Sequence, residues 1–196
     1  GNKENLAAIE MTLVGGEYKF NNDANISLTG SKFDAKIDGE CLHFYKNIPI
    51  QSGQLLSIGQ SLQGSRCYLA VRGGIDINDV LSAKTTHLTS KIGGVDGRSL
   101  KKDDVLIIGE EQKLLNPIII NEMLDINMSK LLIIKGLQSN YISKSTWKIF
   151  LNQEYIVSNL SNRMGIRLEG NSLKLDNENE IITEGVPLGA IQLPSN

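Results

Sequence analysis

The first half of the chain is a series of short alternating segments separated by turn residues. Residues 9–13 alternate apolar and polar side chains, the period-two pattern of a half-buried strand. Similar segments follow at 17–20, 25–29, 33–37, 41–45, 55–58, 67–71 and 105–108. Asp38-Gly39 separates two of them and predicts a hairpin, because both residues of such a turn need positive φ. Many short strands with frequent turns favour a closed or nearly closed antiparallel barrel.

The second half of the chain has a mixed pattern. Residues 113–128 are typical of a connection between a β-barrel unit over 1–112 and a second α+β unit over 129–196. Ser143 is a suitable N-cap for a helix over 144–152. Further strands are expected at 118–120 (an edge strand), 131–134, 155–160, 166–169 and 190–193.

The charge balance argues against several classes of partner. Lys and Arg total 20 against 22 Asp and Glu, which leaves a net charge of −2 without any basic block. A nucleic-acid partner and an anionic membrane surface are therefore not expected. Because no apolar run approaches the roughly 18 residues that a spanning helix needs, we expect a cytoplasmic protein.

Cysteine and histidine are scarce. Cys41 and Cys67 form no C-x-x-C pair, and both lie in segments with one face expected to be buried. We interpret them as small apolar residues of a reduced protein. A catalytic thiol would need a base, and His43 lies two residues from Cys41 in the same alternating segment. With His87 as the other histidine, no metal site is expected.

Four motifs in order along the chain carry a family resemblance. The stretch from Arg66 to Leu106 joins a strand to a Gly-Gly-Ile-Asp turn, a glycine-dense loop ending in arginine, and an apolar strand. The others are LTGSKFDAKIDG (28–39), SNRMGIRLEG (161–170) and TEGVPLGAIQLP (183–194). Together they resemble the carboxyltransferase C/D family, which includes the C subunit of bacterial 5-oxoprolinase, allophanate hydrolase subunit 2 and the carboxyltransferase part of urea carboxylase.

The resemblance implies a mainly β fold, a cyclophilin-like β-barrel with a second α+β unit. It also implies an internal fragment, inactive alone, because relatives carry a segment before Gly1 and continue past residues 189–194; the missing initiator Met fits this. Two positions depart from the family pattern. Lys84 replaces an arginine and loses its bidentate geometry, and Asn162 replaces an aspartate and cannot carry charge.

The resemblance implies, as the leading hypothesis, that this chain is one subunit of a bacterial ATP-dependent 5-oxoprolinase. That enzyme would open the lactam of 5-oxoproline to glutamate as a hetero-oligomer with the A and B subunits of 5-oxoprolinase, a protein like the B subunit being the direct partner. The resemblance implies that ATP binds through the complex. The loop 93–98 of this chain lacks the spacing of a phosphate loop.

Two other functions remain open. One is carboxyl transfer from carboxybiotin to a urea- or amide-like acceptor, with the biotin carried by another chain. The other is a non-catalytic regulator that binds a kinase-inhibitor-like partner, which the departures at Lys84 and Asn162 would allow.

The first candidate for substrate binding is Arg72. It ends an alternating strand before Gly73 and Gly74, whose missing Cβ atoms allow a backbone or a ligand to approach closely. Arg72 is either a surface residue beside a turn or a group that reaches a carboxylate from the barrel rim. The glycine-rich loop ending in Arg98 offers a second arginine beside exposed amides.

A second pair of candidates lies in the SNRMGIRLEG motif. Arg163 precedes Gly165 in a turn, and Arg167 follows on a strand whose apolar side chains, Ile166 and Leu168, are expected to face inward. Two arginines from one corner suit a carboxylate clamp, each charge-assisted pair contributing about 1.5–3 kcal/mol if sheltered. The structural alternative is that Arg163 pairs with an acidic residue to fix the turn.

The third set lies in TEGVPLGAIQLP. Glu184, before Gly185, is the candidate general base or hydrogen-bond acceptor for an amide nitrogen; a solvated residue or an arginine partner is the alternative. Gln192 has an amide that both donates and accepts, which suits a lactam or urea-like substrate. The arginines expected to converge on one anion-binding hollow at the mouth of the barrel are Arg72, Arg163 and Arg167.

Overall fold

The protein is described by a computed structural model. The residues that it describes are 2–110, 130–174 and 185–193. The chain divides into two compact units, Gly1–Ser129 (unit 1) and Lys130–Asn196 (unit 2), which are described separately. The connection predicted over 113–128 and its edge strand lie outside the described residues.

The strands described in unit 1 form one antiparallel sheet. Its strands are β1 Ile9–Thr12, β2 Glu17–Lys19, β3 Ala24–Ile37, β4 Glu40–Cys41, β5 Ile48–Ile50 and β6 Leu55–Val71. β3 and β6 pair along most of their length, while β1 and β2 pair with the other edge of β6 and β4 and β5 with the other edge of β3. The mainly β prediction is confirmed, although the pairings of the described strands do not close into a ring.

β-Bulges bend the central hairpin and change which side chains are buried. In β3, the register shifts lie between Gly30 and Ala35. Before them the buried residues have even numbers, Ile26 and Leu28, whereas from Phe33 onward they have odd numbers, Phe33 and Ala35. An extra residue in one strand moves every later side chain to the opposite face. Because the alternation breaks there, the sequence predicts two separate strands for each of β3 and β6.

The core lies in unit 1. All buried apolar residues of the described ranges fall between Ala7 and Ile75. The largest fully buried side chains are Phe33, Ile26, Leu28, Ile50, Leu56, Leu69 and Cys67. Since full burial of one such apolar side chain contributes about 1.5–3 kcal/mol, this cluster is the main source of stability for the sheet.

The predicted Asp38-Gly39 hairpin is confirmed, with φ values of 47° and 93° and Ile37 paired with Glu40. The strand predicted at 41–45 is wrong beyond β4, because the chain turns at Tyr45, where φ is 61°. The strand predicted at 105–108 is also wrong, since this segment makes a single bridge from Ile108 to Ile75.

Among the described residues of unit 2, there are one α-helix and one small sheet. After a 3₁₀ turn at Ser139–Tyr141 come α1 Lys144–Asn152, β7 Ile156–Val157 and β8 Leu168–Glu169. The predicted helix is confirmed, but residues 131–134 and 190–193 are not strands. Ile166 and Leu168, expected to face inward, are 68% and 52% exposed, so that prediction is wrong. Within the described ranges, no helix has the length and apolarity to cross a bilayer.

The N-cap of α1 provides a stability test. The Ser143 hydroxyl accepts a hydrogen bond from the Thr146 N–H at 3.1 Å, which satisfies an amide that the helix itself leaves unpaired. We expect Ser143→Ala to lower the free energy of unfolding of unit 2 by about 1 kcal/mol, and Ser143→Asp to retain most of it. Urea titrations followed by Trp147 fluorescence would measure both; equal losses in the two variants would contradict the capping role.

Candidate functional site

A cleft of about 1330 Å³ lies in unit 1. Its lining comes mainly from segments 15–25, 49–51, 69–75 and 100–109. The buried part of the lining is apolar and includes Ile50, Leu69 and Val71. The exposed part combines apolar residues such as Val105 and Ile107 with polar ones, which are Asn21, Asn22, Asp23, Lys101, Lys102 and Asp103. A concave surface that offers both apolar and polar groups is a candidate site for a small molecule.

Arg72, which directly follows β6, lines this cleft. Its backbone N–H donates to the Asn25 carbonyl oxygen at 2.8 Å, which continues the pairing between β6 and β3 by one residue. The Arg72 side chain is half-buried. A guanidinium in such a position binds an anion more strongly than a fully solvated one, because the surrounding water screens it less.

Asn2 holds the turn that carries Arg72. Its Nδ2 donates to the Val71 carbonyl oxygen at 2.7 Å, and its Oδ1 accepts from the Gly73 N–H at 3.1 Å. One side chain thus bonds the residues on both sides of Arg72. The position of the arginine depends on a residue 70 places earlier in the chain, which the strand pattern does not indicate.

Gly73 and Gly74 make room for the protein itself. Both have positive φ, at 92° and 75°. A Cβ on Gly73 would collide with the Gly109 carbonyl oxygen and lie 2.9 Å from that of Glu110, and one on Gly74 would lie 2.8 Å from Leu6 Cβ. The space left by the missing Cβ atoms of both glycines is therefore occupied by neighbouring protein atoms and is not open to a ligand.

Arg98 is engaged by Asp104 in a bidentate ion pair. Its Nη1 lies 2.7 Å from Asp104 Oδ2, and its Nη2 lies 2.9 Å from Oδ1. Asp104 Oδ2 also accepts from the Lys101 N–H at 2.7 Å. Both terminal nitrogens of Arg98 therefore fix the turn before residue 105. Its substrate-binding role stays an untested prediction, and we leave it out of the proposed site.

This ion pair predicts a pH dependence of stability. The Arg98 side chain and then the Lys101 N–H lower the pKa of Asp104 to about 2, below the ordinary carboxyl value. A lowered carboxyl pKa stabilises the fold above the unfolded-state pKa near 4, and this contribution is lost as pH falls toward 2. We therefore expect the difference in free energy of unfolding between wild type and Asp104→Asn to shrink from pH 5 to pH 2.5. A difference that stays constant over that range would contradict the assignment.

The glycine-rich loop after residue 92 packs on its own chain. Cβ atoms on Gly93 and Gly97 would collide with the carbonyl oxygens of Thr85 and Lys91. Carbonyl oxygens at these glycines do not suit a phosphate group, which needs donors. Lys84, the departure from the family pattern in this region, donates to the Ile77 carbonyl oxygen at 2.9 Å and so closes its own loop.

The unit 2 candidates lie in an exposed corner. Arg163 occupies the turn between Asn162 and Gly165, whose backbones pair, and Asn162 Oδ1 accepts from the Met164 N–H at 2.8 Å. The aspartate of the family pattern could accept the same hydrogen bond, so Asn162 retains the turn although it carries no charge. The Arg167 N–H donates to the Ser161 hydroxyl at 2.9 Å. Both arginines are exposed.

The last motif contributes little defined geometry. Gln192 is exposed, and a Cβ on Gly185 or Gly165 would meet no atom within 4 Å. Glu184 lies outside the described residues. Because these residues and the two arginines of unit 2 belong to a different unit from Arg72, the convergence of the three arginines stays a prediction.

The two cysteines differ. Cys67 is fully buried, and burial raises the pKa of its thiol to about 11, which makes it an unreactive packing residue as interpreted from the sequence. Cys41 is exposed at the end of β4, so its predicted burial is wrong. His43 is also exposed and lies beyond that strand, so the two do not share a strand.

Sequence reasoning missed several residues of the cleft. Tyr18, Lys101 and Lys102 line it, yet the first belongs to a three-residue strand and the lysines to an ordinary charged turn. Asn21-Asn22-Asp23 is recognisable only as a turn. No motif marks them, because their common location arises from the folding of distant segments.

The described part of unit 1 is thus a β-rich sheet with a cleft whose lining includes Arg72. The chain belongs to the family of the carboxyltransferase domain, subdomains A and B, whose model matches residues 1–196. The resemblance found in the sequence is thus confirmed, with subdomains A and B rather than C and D as the matching part.

Individual relatives agree with this membership. The chain is 32% identical to the C subunit of 5-oxoprolinase from Escherichia coli over 197 residues, covering 100% of this chain and 63% of that protein. For the same subunit of Haemophilus influenzae the identity is 30%, covering 99% and 62%. The crystal structure of Kluyveromyces lactis urea carboxylase superimposes with a TM-score of 0.69 at 26% identity, covering 87% of this chain and 16% of that one. The chain therefore spans less than two thirds of the 5-oxoprolinase subunits it matches.

Proposed function

We propose that this chain forms part of an ATP-dependent 5-oxoprolinase that opens the lactam of 5-oxoproline to give glutamate. The observation that carries the proposal is the similarity to the 5-oxoprolinase C subunit along the whole chain, at 32% identity for the Escherichia coli protein. The substrate is a small anion whose five-membered ring carries a polar amide and two CH2 groups. The cleft of unit 1 offers apolar side chains, polar groups and an arginine, which could accommodate such a molecule.

In this proposal Arg72 binds the substrate carboxylate. Its guanidinium can form the paired hydrogen bonds that match two carboxylate oxygens. Its backbone N–H is bonded to Asn25, and Asn2 bonds the two residues beside it. A charge-assisted bond of this kind contributes about 1.5–3 kcal/mol. Arg163, Arg167 and Gln192 of unit 2, and Glu184, are proposed as additional groups that act on the carboxylate and the amide.

Partner subunits complete the proposed enzyme. The relatives named as C subunits imply other subunits, and we assign the A and B subunits of 5-oxoprolinase as partners in the cytoplasm. ATP supplies the phosphoryl group that activates the lactam oxygen. Because the glycine-rich loop of this chain presents carbonyl oxygens to the space beside Gly93 and Gly97, we assign ATP binding to the complex and not to this loop.

The test is reconstitution of the whole enzyme. The full-length protein is mixed with the A and B subunits, and glutamate released from 5-oxoproline is measured with and without ATP. We expect release only when all three proteins and ATP are present. No release from any mixture would refute the proposal, provided that each protein is folded by circular dichroism.

A second candidate is carboxyl transfer from carboxybiotin to a urea- or amide-like acceptor. It is favoured by the structural similarity to urea carboxylase, with a TM-score of 0.69. This activity would need bicarbonate and a biotin-carrying partner, and avidin would inhibit it. Ring opening of 5-oxoproline that proceeds in the presence of avidin would favour the first candidate.

A further inference from the structure

Tyr18 lines the cleft from the side of β2. It is paired with Leu56 of β6, which has 0% exposure, so the two side chains point to the same face of the sheet. Its neighbours Glu17 and Lys19 are exposed, whereas Tyr18 is half-buried and packs against the core. The ring is therefore fixed by apolar contacts, and its orientation does not depend on the hydroxyl group.

The hydroxyl of Tyr18 lies beside a glycine of the cleft. A Cβ built on Gly16 would be 3.6 Å from the Tyr18 oxygen, an ordinary contact distance, and Gly16 also lines the cleft. Among the described residues, no atom hydrogen-bonds to this hydroxyl. The half-buried Tyr45 differs, because its hydroxyl donates to the Gly30 carbonyl oxygen at 2.6 Å.

The Tyr18 hydroxyl is protonated and can donate a hydrogen bond. Burial, and then the nearby Cys67, raise the pKa of Tyr18 above its ordinary value. The group therefore stays protonated and neutral through the physiological range. A protonated hydroxyl that lines a cleft can donate a hydrogen bond to an oxygen acceptor of a ligand bound there.

We propose that the Tyr18 hydroxyl donates a hydrogen bond to the carbonyl oxygen of a lactam bound in the unit 1 cleft, and so selects lactams over other cyclic carboxylates. This inference rests on the proposed function. Arg72 and Tyr18 then recognise different groups of the substrate. Arg72 binds the carboxylate, which many small acids carry, whereas Tyr18 binds the carbonyl oxygen of the lactam, which a cyclic acid without an amide lacks.

The test uses two ligands with the same ring size and carboxylate. Calorimetry measures the binding of 5-oxoproline and of cyclopentanecarboxylate, which lacks the lactam, to the full-length protein assembled with its partner subunits. Loss of one neutral hydrogen bond corresponds to about a threefold to tenfold weaker affinity. We expect Tyr18→Phe to weaken 5-oxoproline binding by this factor and to leave cyclopentanecarboxylate unchanged, while Arg72→Gln weakens both.

A control variant separates the hydroxyl from general effects on the fold. Tyr68→Phe is the matched control, because Tyr68 lies on β6 of the same sheet, does not line the cleft and has no hydroxyl partner among the described residues. It should bind both ligands as wild type does.

The outcomes distinguish this inference from the function on which it rests. Wild-type binding of 5-oxoproline that Tyr18→Phe leaves unchanged, or that Tyr68→Phe weakens equally, would overturn the role of Tyr18 and leave the proposed function standing. Wild-type protein that neither binds nor opens 5-oxoproline would overturn both.

Discussion

Replacing Arg72 with glutamine is expected to lower kcat/KM for ATP-dependent ring opening by about tenfold to a hundredfold. This factor corresponds to the loss of a charge-assisted bond of about 1.5–3 kcal/mol to the substrate carboxylate. Arg72→Lys keeps the charge but not the planar pair of donors, and should lie between the glutamine variant and the wild type. Steady-state glutamate release by the reconstituted complex measures all three.

A control must remove a positive charge elsewhere on the same sheet. Lys32 is suitable because it is a residue of β3 that does not line the cleft. Lys32→Gln should retain wild-type kcat/KM. Equal activity of Arg72→Gln and wild type would place the substrate carboxylate outside this cleft, whereas equal losses in both variants would indicate only a general effect of net charge.

Replacing Gly73 with alanine is expected to lower the free energy of unfolding by about 2–5 kcal/mol. Two costs add: a side chain at a φ of 92° costs roughly 1–2 kcal/mol, and the overlap with neighbouring carbonyl oxygens costs about 1–3 kcal/mol more. The new Cβ would meet the Gly109 oxygen, and the backbone around it has little freedom to move. Urea denaturation of the full-length protein would measure the loss.

Gly39 offers a matched control for the backbone cost. Its φ of 93° is nearly that of Gly73, but a Cβ there would meet no atom within 4 Å. Gly39→Ala should therefore lose only the strain of about 1–2 kcal/mol. If both variants lost the same amount, the close approach of residues 109 and 110 to Gly73 would contribute nothing measurable.

Local patterns predict part of this fold well. The Asp38-Gly39 turn and the helix after Ser143 depend on residues within one turn of the chain, and both are confirmed. The strands of the central hairpin are harder, because bulges between Gly30 and Ala35 interrupt an alternation that is otherwise continuous in the sheet. The alternation pattern locates the strands, but it does not indicate that two neighbouring segments belong to one long bulged strand.

The residues of the candidate site can be predicted only in part from the sequence. Arg72 is recognisable because it ends an alternating strand before two glycines, and it does line a cleft. Asn2, which fixes its backbone, and Tyr18, on another wall, are brought there by pairings between distant segments. Arg98 shows the converse, because its position suggests a ligand site while its charge is used by Asp104, six residues away.

The most direct test of the proposed substrate site is a crystal structure of the full-length protein, in complex with its partner subunits, with 5-oxoproline bound. We expect the carboxylate in the unit 1 cleft, within about 3 Å of the Arg72 guanidinium nitrogens. A 5-oxoproline molecule bound at another place, with the cleft beside Arg72 holding only water, would contradict the proposed site.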